Sequence, residues 1–144
     1  MTPRRTLWLL YTAFIIYGTT IPFHFAGGWD EALLKLRSLP LNPLVAPDTG
    51  RRLSIPDVVQ NVLFFLPFGV FGFLAGSRRT MGRIILVTLL GLCLSLGMES
   101  LQLFTIDRVT SLGDVLTNTA GAFIGAVAAW QLHGLFVQRA KVDQ

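Results

Sequence analysis

The sequence predicts an all-α polytopic membrane protein: one domain over residues 1–144 with four transmembrane helices and an interfacial helix in the first outer loop. Three observations carry this reading. Charged residues make up only 14% of the chain, where a soluble domain carries about 25%. The apolar residues gather into runs long enough for a helix to cross hydrocarbon, which takes about 20 residues. The cations stand at the ends of those runs rather than inside them. The net charge of +4 has no basic stripe or interleaved aromatics behind it, so nucleic acid is not an expected partner. Cys93 stands alone in an apolar run and cannot form an internal disulfide.

The first span is expected at residues 7–23, after the basic start at Arg4 and Arg5. A secretory signal peptide has the same layout, but His24 occupies a position where cleavage before Gly27 needs a small residue. A retained helix ending at Pro22 is therefore expected. Between residues 24 and 53, Trp29, Ala32, Leu33, Leu36 and Leu39 follow helical spacing, with Asp30, Glu31, Lys35 and Arg37 on the other face. Glu31 and Lys35 form a favourable pair four residues apart. About three turns cannot span a bilayer, so an interfacial helix is expected; a surface helix packed on its own protein fits the same pattern. Pro40, Pro43 and Pro47 then argue against regular structure up to Gly50.

The remaining spans are expected at residues 58–75, 84–104 and 112–137. Pro67 should kink the second and free the Leu63 carbonyl. Gly121, Gly125 and Ala129 give the fourth a small-xxx-small face for close helix contact. With the N-terminus inside, seven cations fall on the inner side (Arg4, Arg5, Arg78, Arg79, Arg83, Arg139 and Lys141) against five outside, which fixes the orientation. Of the acids, only Asp143 is then inside.

Two stretches carry the chemistry. Ser54-x-x-Asp57-x-x-x-Asn61 opens the second span and Ser111-x-x-Asp114-x-x-x-Asn118 opens the fourth. Each Asp and Asn, four apart, share a helix face, and the echo suggests a parallel two-fold internal repeat relating spans one and two to spans three and four. The third span runs the other way and brings Glu99 and Gln102 to the same outer level, roughly 8 and 3 Å in at 1.5 Å per residue. Arg108 stands in the turn beside them. Each member also has a plainer reading. The two Asp residues fit capping boxes, and the two Asn residues fit interhelical bonds. Glu99 sits mid-helix, where it cannot cap, and a carboxylate there is paired or faces a cavity. It is either an anion paired with Arg108 or a proton-carrying group.

The candidate binding set is therefore Asp57, Asn61, Glu99, Gln102, Arg108, Asp114 and Asn118. The first reading is a layer that holds the head group of a membrane lipid or lipid-linked envelope precursor, with Arg108 on phosphate or carboxylate and the amides donating hydrogen bonds. The second is a membrane enzyme acting on a phosphorylated lipid, with Glu99 as candidate acid or base and the three carboxylates on a divalent cation. The third is a layer that only registers the helices and a protein acting through a partner. There is no Ser-His or Cys-His pair, phosphate loop or His-x-x-x-His, so no cofactor and no metal is assigned. His24 is given no role.

Taken together, Asp57-x-x-x-Asn61-x-x-x-Phe65-x-Pro67-x-Gly69, Glu99-x-x-Gln102 and Arg108-x-x-Ser111-x-x-Asp114-x-x-x-Asn118-x-x-Gly121-x-x-x-Gly125 resemble the VanZ-like family of small bacterial membrane proteins, over roughly residues 10 to 132. The family is named for an accessory protein of glycopeptide resistance that reduces sensitivity to teicoplanin. The resemblance implies a bacterial envelope setting, in the cytoplasmic membrane, and an accessory role in antibiotic resistance as an expectation; the cations place both termini inside, and the resemblance supplies no reaction.

The orientation has a direct check. A cysteine replacing Arg79 is expected to react with an impermeant reagent only from the cytoplasm, and one replacing Asp48 only from outside. Labelling of both from one side would overturn the four-span arrangement.

Overall fold

The computed structural model describes residues 2–21, 24–25, 28–77 and 79–142, with side chains as far as Leu135. Pro22, Arg78 and Asp143, to which the sequence assigned a helix end and inner charges, lie outside the described residues, as do the side chains of Arg139 and Lys141. The described chain is five α-helices: α1 Pro3–Thr20, α2 Trp29–Ser38, α3 Ile55–Ala75, α4 Met81–Gln102 and α5 Leu112–Val142. The only extended pairing among these residues is two isolated β-bridges, Phe25 with Thr105 and Val45 with Arg52.

Three helices are long and apolar enough to cross a membrane: α3, α4 and the Leu112–Leu135 part of α5. α1 is not among them. It has 18 residues, with arginines in its first turn and threonines along it. It ends at Thr20, and Ile21 is extended. Both Ser-led stretches start helices as expected: Ser54 Oγ accepts from Asp57 N at 3.2 Å and Ser111 Oγ from Asp114 N at 3.3 Å. Each satisfies a backbone N–H that the helix cannot pair. Pro67 does not interrupt α3. Beside it the Tyr11 hydroxyl of α1 donates to the Phe64 carbonyl at 2.8 Å. α4 stops at Gln102, short of the expected Phe104, because the chain tightens there and Phe104 N bonds the Leu101 carbonyl.

α2 forms where the spacing put it, but its charges are used differently. Lys35 does not serve as the partner of Glu31. Its ammonium donates to the carbonyls of Gln102, Thr105 and Arg108, at 3.4 Å for the first and 3.1 Å for the last. The Gln102 carbonyl also accepts from Thr105 N and Oγ1, and a cation is favourable at that negative helix end. Of the apolar face of α2 only Ala32 is buried; Trp29, Leu33 and Leu36 are exposed, and Trp29 meets Phe104 edge-on at 5.1 Å.

The core lies where α1, α3, α4 and α5 meet: Ile15, Phe65, Phe68, Phe73, Ile84, Val87, Ala122, Ala126 and Ala129. α3 and α5 are the closest pair. A Cβ on Gly121 would run into the Val62 carbonyl oxygen, and one on Gly125 into that of Leu66. A Cβ on Gly69, from the other side, would strike the Ala122 carbonyl. The backbones touch, as small-residue faces allow. Outside the bundle Leu86, Leu89, Phe123 and Ile124 are exposed, an apolar surface of the kind that faces lipid.

Because the obstacle at position 125 is backbone, which cannot move aside, Gly125→Ala should destabilise by about 1–3 kcal/mol or more. Gly97, with open space around its Cβ position, should gain about 0.5–1 kcal/mol as Ala. Melting of both variants in detergent checks the contrast.

Candidate functional site

The polar layer is assembled by α3, α4 and α5, with the turn after α4 closing one side. Its centre is Glu99, 6% exposed. Oε2 accepts the Ser111 backbone N–H at 2.7 Å, while the Glu99 carbonyl accepts from the Thr110 hydroxyl at 3.3 Å. In a capping box the N3 side chain would reach back to the N-cap N–H. Here Glu99 of a different helix takes that bond, and Asp114, the N3 residue, is left to face inward. The α3 copy differs: the Ser54 hydroxyl donates to the Asp57 carboxylate, and Asp57 is exposed.

The expected ion pair between Glu99 and Arg108 is not formed among the described residues. Arg108 Nη2 instead donates to the Ile21 carbonyl at 2.9 Å, tying the end of α1 to the turn. The physical reason is reach: Ser111 N–H lies at the start of α5, directly over Glu99, and takes the oxygen. A hydrogen bond of 2.6 Å joins His24 Nδ1 and Asp107 Oδ2, with both side chains largely exposed. With the Phe25–Thr105 bridge, and Ile106 N on the His24 carbonyl, it fastens the segment after α1 to this turn. Sequence reasoning had given His24 no part.

The amides also differ from expectation. Asn61 Nδ2 donates to Thr117 Oγ1 at 3.2 Å, across α3 and α5; Asn118 Nδ2 donates to Ser95 Oγ at 3.0 Å, across α5 and α4. Their donors are spent between helices instead of being offered to a ligand. Asn118 Oδ1 stays buried without a partner. Asp114 is half-buried beside Asn61 and Ser111, within electrostatic reach of Asp57. The layer therefore keeps an unpartnered acceptor, Asn118 Oδ1, among the same cavity-lining groups as the Glu99 and Asp114 carboxylates.

These groups surround open space. A cavity of about 280 Å³ is lined by Asn61, Glu99, Gln102, Arg108, Asp114 and Asn118, six of the seven candidates, with Phe14, Phe64 and Phe65 on its apolar side. A second cavity, also about 280 Å³, shares Asn61, Arg108 and Asp114 with the first and adds Asp57, Asp48 and Pro47 from outside. Gln60 lines both, and Thr117 is the partner of Asn61. The sequence did hold a signal for these two, since they occupy the same place in the repeated stretch, one residue before each Asn. Lys35 carried no such signal, because the carbonyls it binds are 67 to 73 residues away. Among the described residues no group of three or more His, Cys, Asp or Glu side chains is arranged to hold a metal ion.

If Glu99 acts on Ser111, Glu99→Gln should keep near-normal stability, since an amide oxygen still accepts. Glu99→Leu should lose about 1–3 kcal/mol for a buried N–H left unpaired, and Arg108→Ala should cost less. Melting in detergent reads all three; equal losses for Glu99→Leu and Arg108→Ala would restore the ion pair.

The comparisons with known proteins agree with the motif resemblance. The VanZ/LLP1 family model matches residues 8–136. Protein VanZ of Enterococcus faecium is 33% identical over 108 residues, covering 75% of this chain and 62% of that protein. The chain thus spans less than two thirds of that relative's length. No solved structure matches it. The family match takes in the helices that build the core and all seven candidate residues, and this chain belongs to the VanZ/LLP1 family.

Proposed function

We propose that this chain is an integral protein of a bacterial cytoplasmic membrane whose outer polar layer holds the head group of a lipid or lipid-linked cell-wall precursor, with a VanZ-like accessory role in lowering sensitivity to teicoplanin. In this reading α1 crosses the membrane with the other three long helices, both termini are cytoplasmic, and α2 lies at the outer interface with Trp29, Leu33 and Leu36 in lipid. The Ser-capped starts of α3 and α5 are corresponding points of a parallel repeat.

The observation that carries the proposal is the cavity beside Glu99 and Asn118. A layer that only registered helices would close on its own hydrogen bonds. This one spends the Asn61 and Asn118 donors between helices and leaves open space next to carboxylate oxygens and a buried, unpartnered amide oxygen. Buried polar atoms are normally satisfied, so a ligand fits that supplies donors, as the hydroxyls of a sugar or the ammonium of an aminoalcohol do. The aromatic side chains beside the cavity suit the apolar part of the same molecule.

Native mass spectrometry of protein released from membranes in mild detergent tests this. A retained lipid with a glycosyl or amine head group is expected, and Asp114→Ala and Asn118→Leu should each weaken its retention about tenfold, the loss of one or two good hydrogen bonds. The same variants, expressed in a teicoplanin-sensitive host, should not lower sensitivity where the parent does. Folded variants that keep both lipid and phenotype would refute the assignment.

A further inference from the structure

The two cavities of the polar layer meet at a junction that carries charge of both signs. Gln60, Asn61, Arg108 and Asp114 line both of them. Arg108 stands in the turn after α4, and Asp114 in the first turn of α5. Opposite charges bordering one space commonly pair, yet no ion pair joins these two among the described residues. Arg108 Nη2 is used on the Ile21 carbonyl, while Asp114 lies beside Asn61 and Ser111. A guanidinium has five N–H donors, so the exposed Arg108 side chain keeps donors for an oxyanion. It also lines a third cavity, of about 320 Å³, together with Lys35 and Asp48.

The acids outnumber the cation. Asp114 is within electrostatic reach of both Asp57 and Glu99. Glu99 accepts the Ser111 N–H and Asp57 the Ser54 hydroxyl, and neither bond brings positive charge. Carboxylates in a membrane bundle are normally paired with a cation. Among the described residues no three are grouped to hold a metal ion. An organic ammonium needs less, because one carboxylate and one carbonyl oxygen can already take most of its N–H donors. That oxygen is present independently of the acids. Asn118 is 7% exposed and lines the first cavity, and its Oδ1 is buried with no hydrogen-bond partner. Such an atom requires a donor. Neutral sugar hydroxyls would serve it but leave the carboxylate charge unanswered, and a purely anionic head group would meet like charge at Asp114.

We propose that the junction selects a zwitterionic lipid head group, an aminoalcohol phosphate. Its primary ammonium rests on Asp114, with Asn118 Oδ1 as a further acceptor, and its phosphate on the Arg108 guanidinium. Phe14, Phe64 and Phe65 border the first cavity and suit the acyl part of the same lipid. This rests on the reading of the layer as a head-group site and names the ligand class; Asp114 is the group that tells an amine from a hydroxyl.

The test titrates the full chain in detergent with four short-chain lipids and reads its melting temperature. Phosphatidylethanolamine should protect at about tenfold lower concentration than phosphatidylglycerol or phosphatidylcholine, the loss of one charge-assisted hydrogen bond. The second lipid keeps the phosphate but replaces the ammonium by hydroxyls; the third has an ammonium with no N–H to donate. A glycosyl diacylglycerol, with neither phosphate nor ammonium, is the fourth. Asp114→Asn should abolish the preference for phosphatidylethanolamine over phosphatidylglycerol. Arg108→Gln should weaken both about tenfold and leave the glycosyl lipid unchanged. Arg108 is exposed, so its variant reports on binding even if Asp114→Asn fails to fold. No preference for phosphatidylethanolamine, a glycosyl lipid that protects as well, or effects unchanged in either variant would overturn the zwitterion assignment. If the glycosyl lipid protects, the head-group site still stands; protection by none of the four would overturn both.

Discussion

The backbone contact between α3 and α5 sets the terms for the rest of the molecule. Gly69, Gly121 and Gly125 have no side chain to hold the helices apart, so the two backbones meet along that stretch. At such a distance neither sliding nor rotation is free: a shift by one residue would bring a Cβ into the facing carbonyls. The register thus fixed sets Asn61 opposite Thr117, and Asp114 close to Asn61 and Asp57. α4 is then added through Ser95 on Asn118 and Glu99 on Ser111. α1 is fastened by Tyr11 on the Phe64 carbonyl, by aromatic contacts such as Trp8 with Phe68 at 5.5 Å, and by Arg108 on the Ile21 carbonyl.

Side chains from one element repeatedly complete the backbone of another. Glu99 satisfies the N-cap of α5, Lys35 of α2 closes the end of α4, and Arg83 of α4 closes the end of α3. In a low-dielectric setting an unpaired backbone group is costly and each such bond is correspondingly valuable. Helix ends that might otherwise fray become joints between helices. This also explains how a polar layer can be both scaffold and site. The Asn61 and Asn118 donors and one oxygen of Glu99 hold the helices, while Asp114 and the unpartnered oxygen of Asn118 belong to side chains that border the cavity.

The two ends of the bundle differ in kind. The end with the polar layer has serine-capped starts and carboxylates; the other has uncapped starts and arginines. The open space in the polar layer is bordered by two carboxylates and one arginine, and that at the other end by arginines alone among charged groups.

Much of this was legible in the sequence, because it depends on local pattern. Run length and sparse charge indicated the helical class, the Ser-x-x-Asp stretches marked the serine caps of α3 and α5 although the second span was expected from residue 58 and α3 opens at Ile55, and spacing along α4 put Glu99 and Gln102 on the level of the two Asn residues. The small-residue face at Gly121 and Gly125 announced a close contact, though not with which helix. What the sequence could not decide was who pairs with whom. Opposite charge suggested Glu99 with Arg108 and Glu31 with Lys35, but the fold gave Glu99 the start of α5 and Lys35 the end of α4. Those partners are backbone groups, present at every residue and invisible to charge patterning. Which of them are left unpaired, and which side chain comes within 3 Å of them, is settled only when the helices pack.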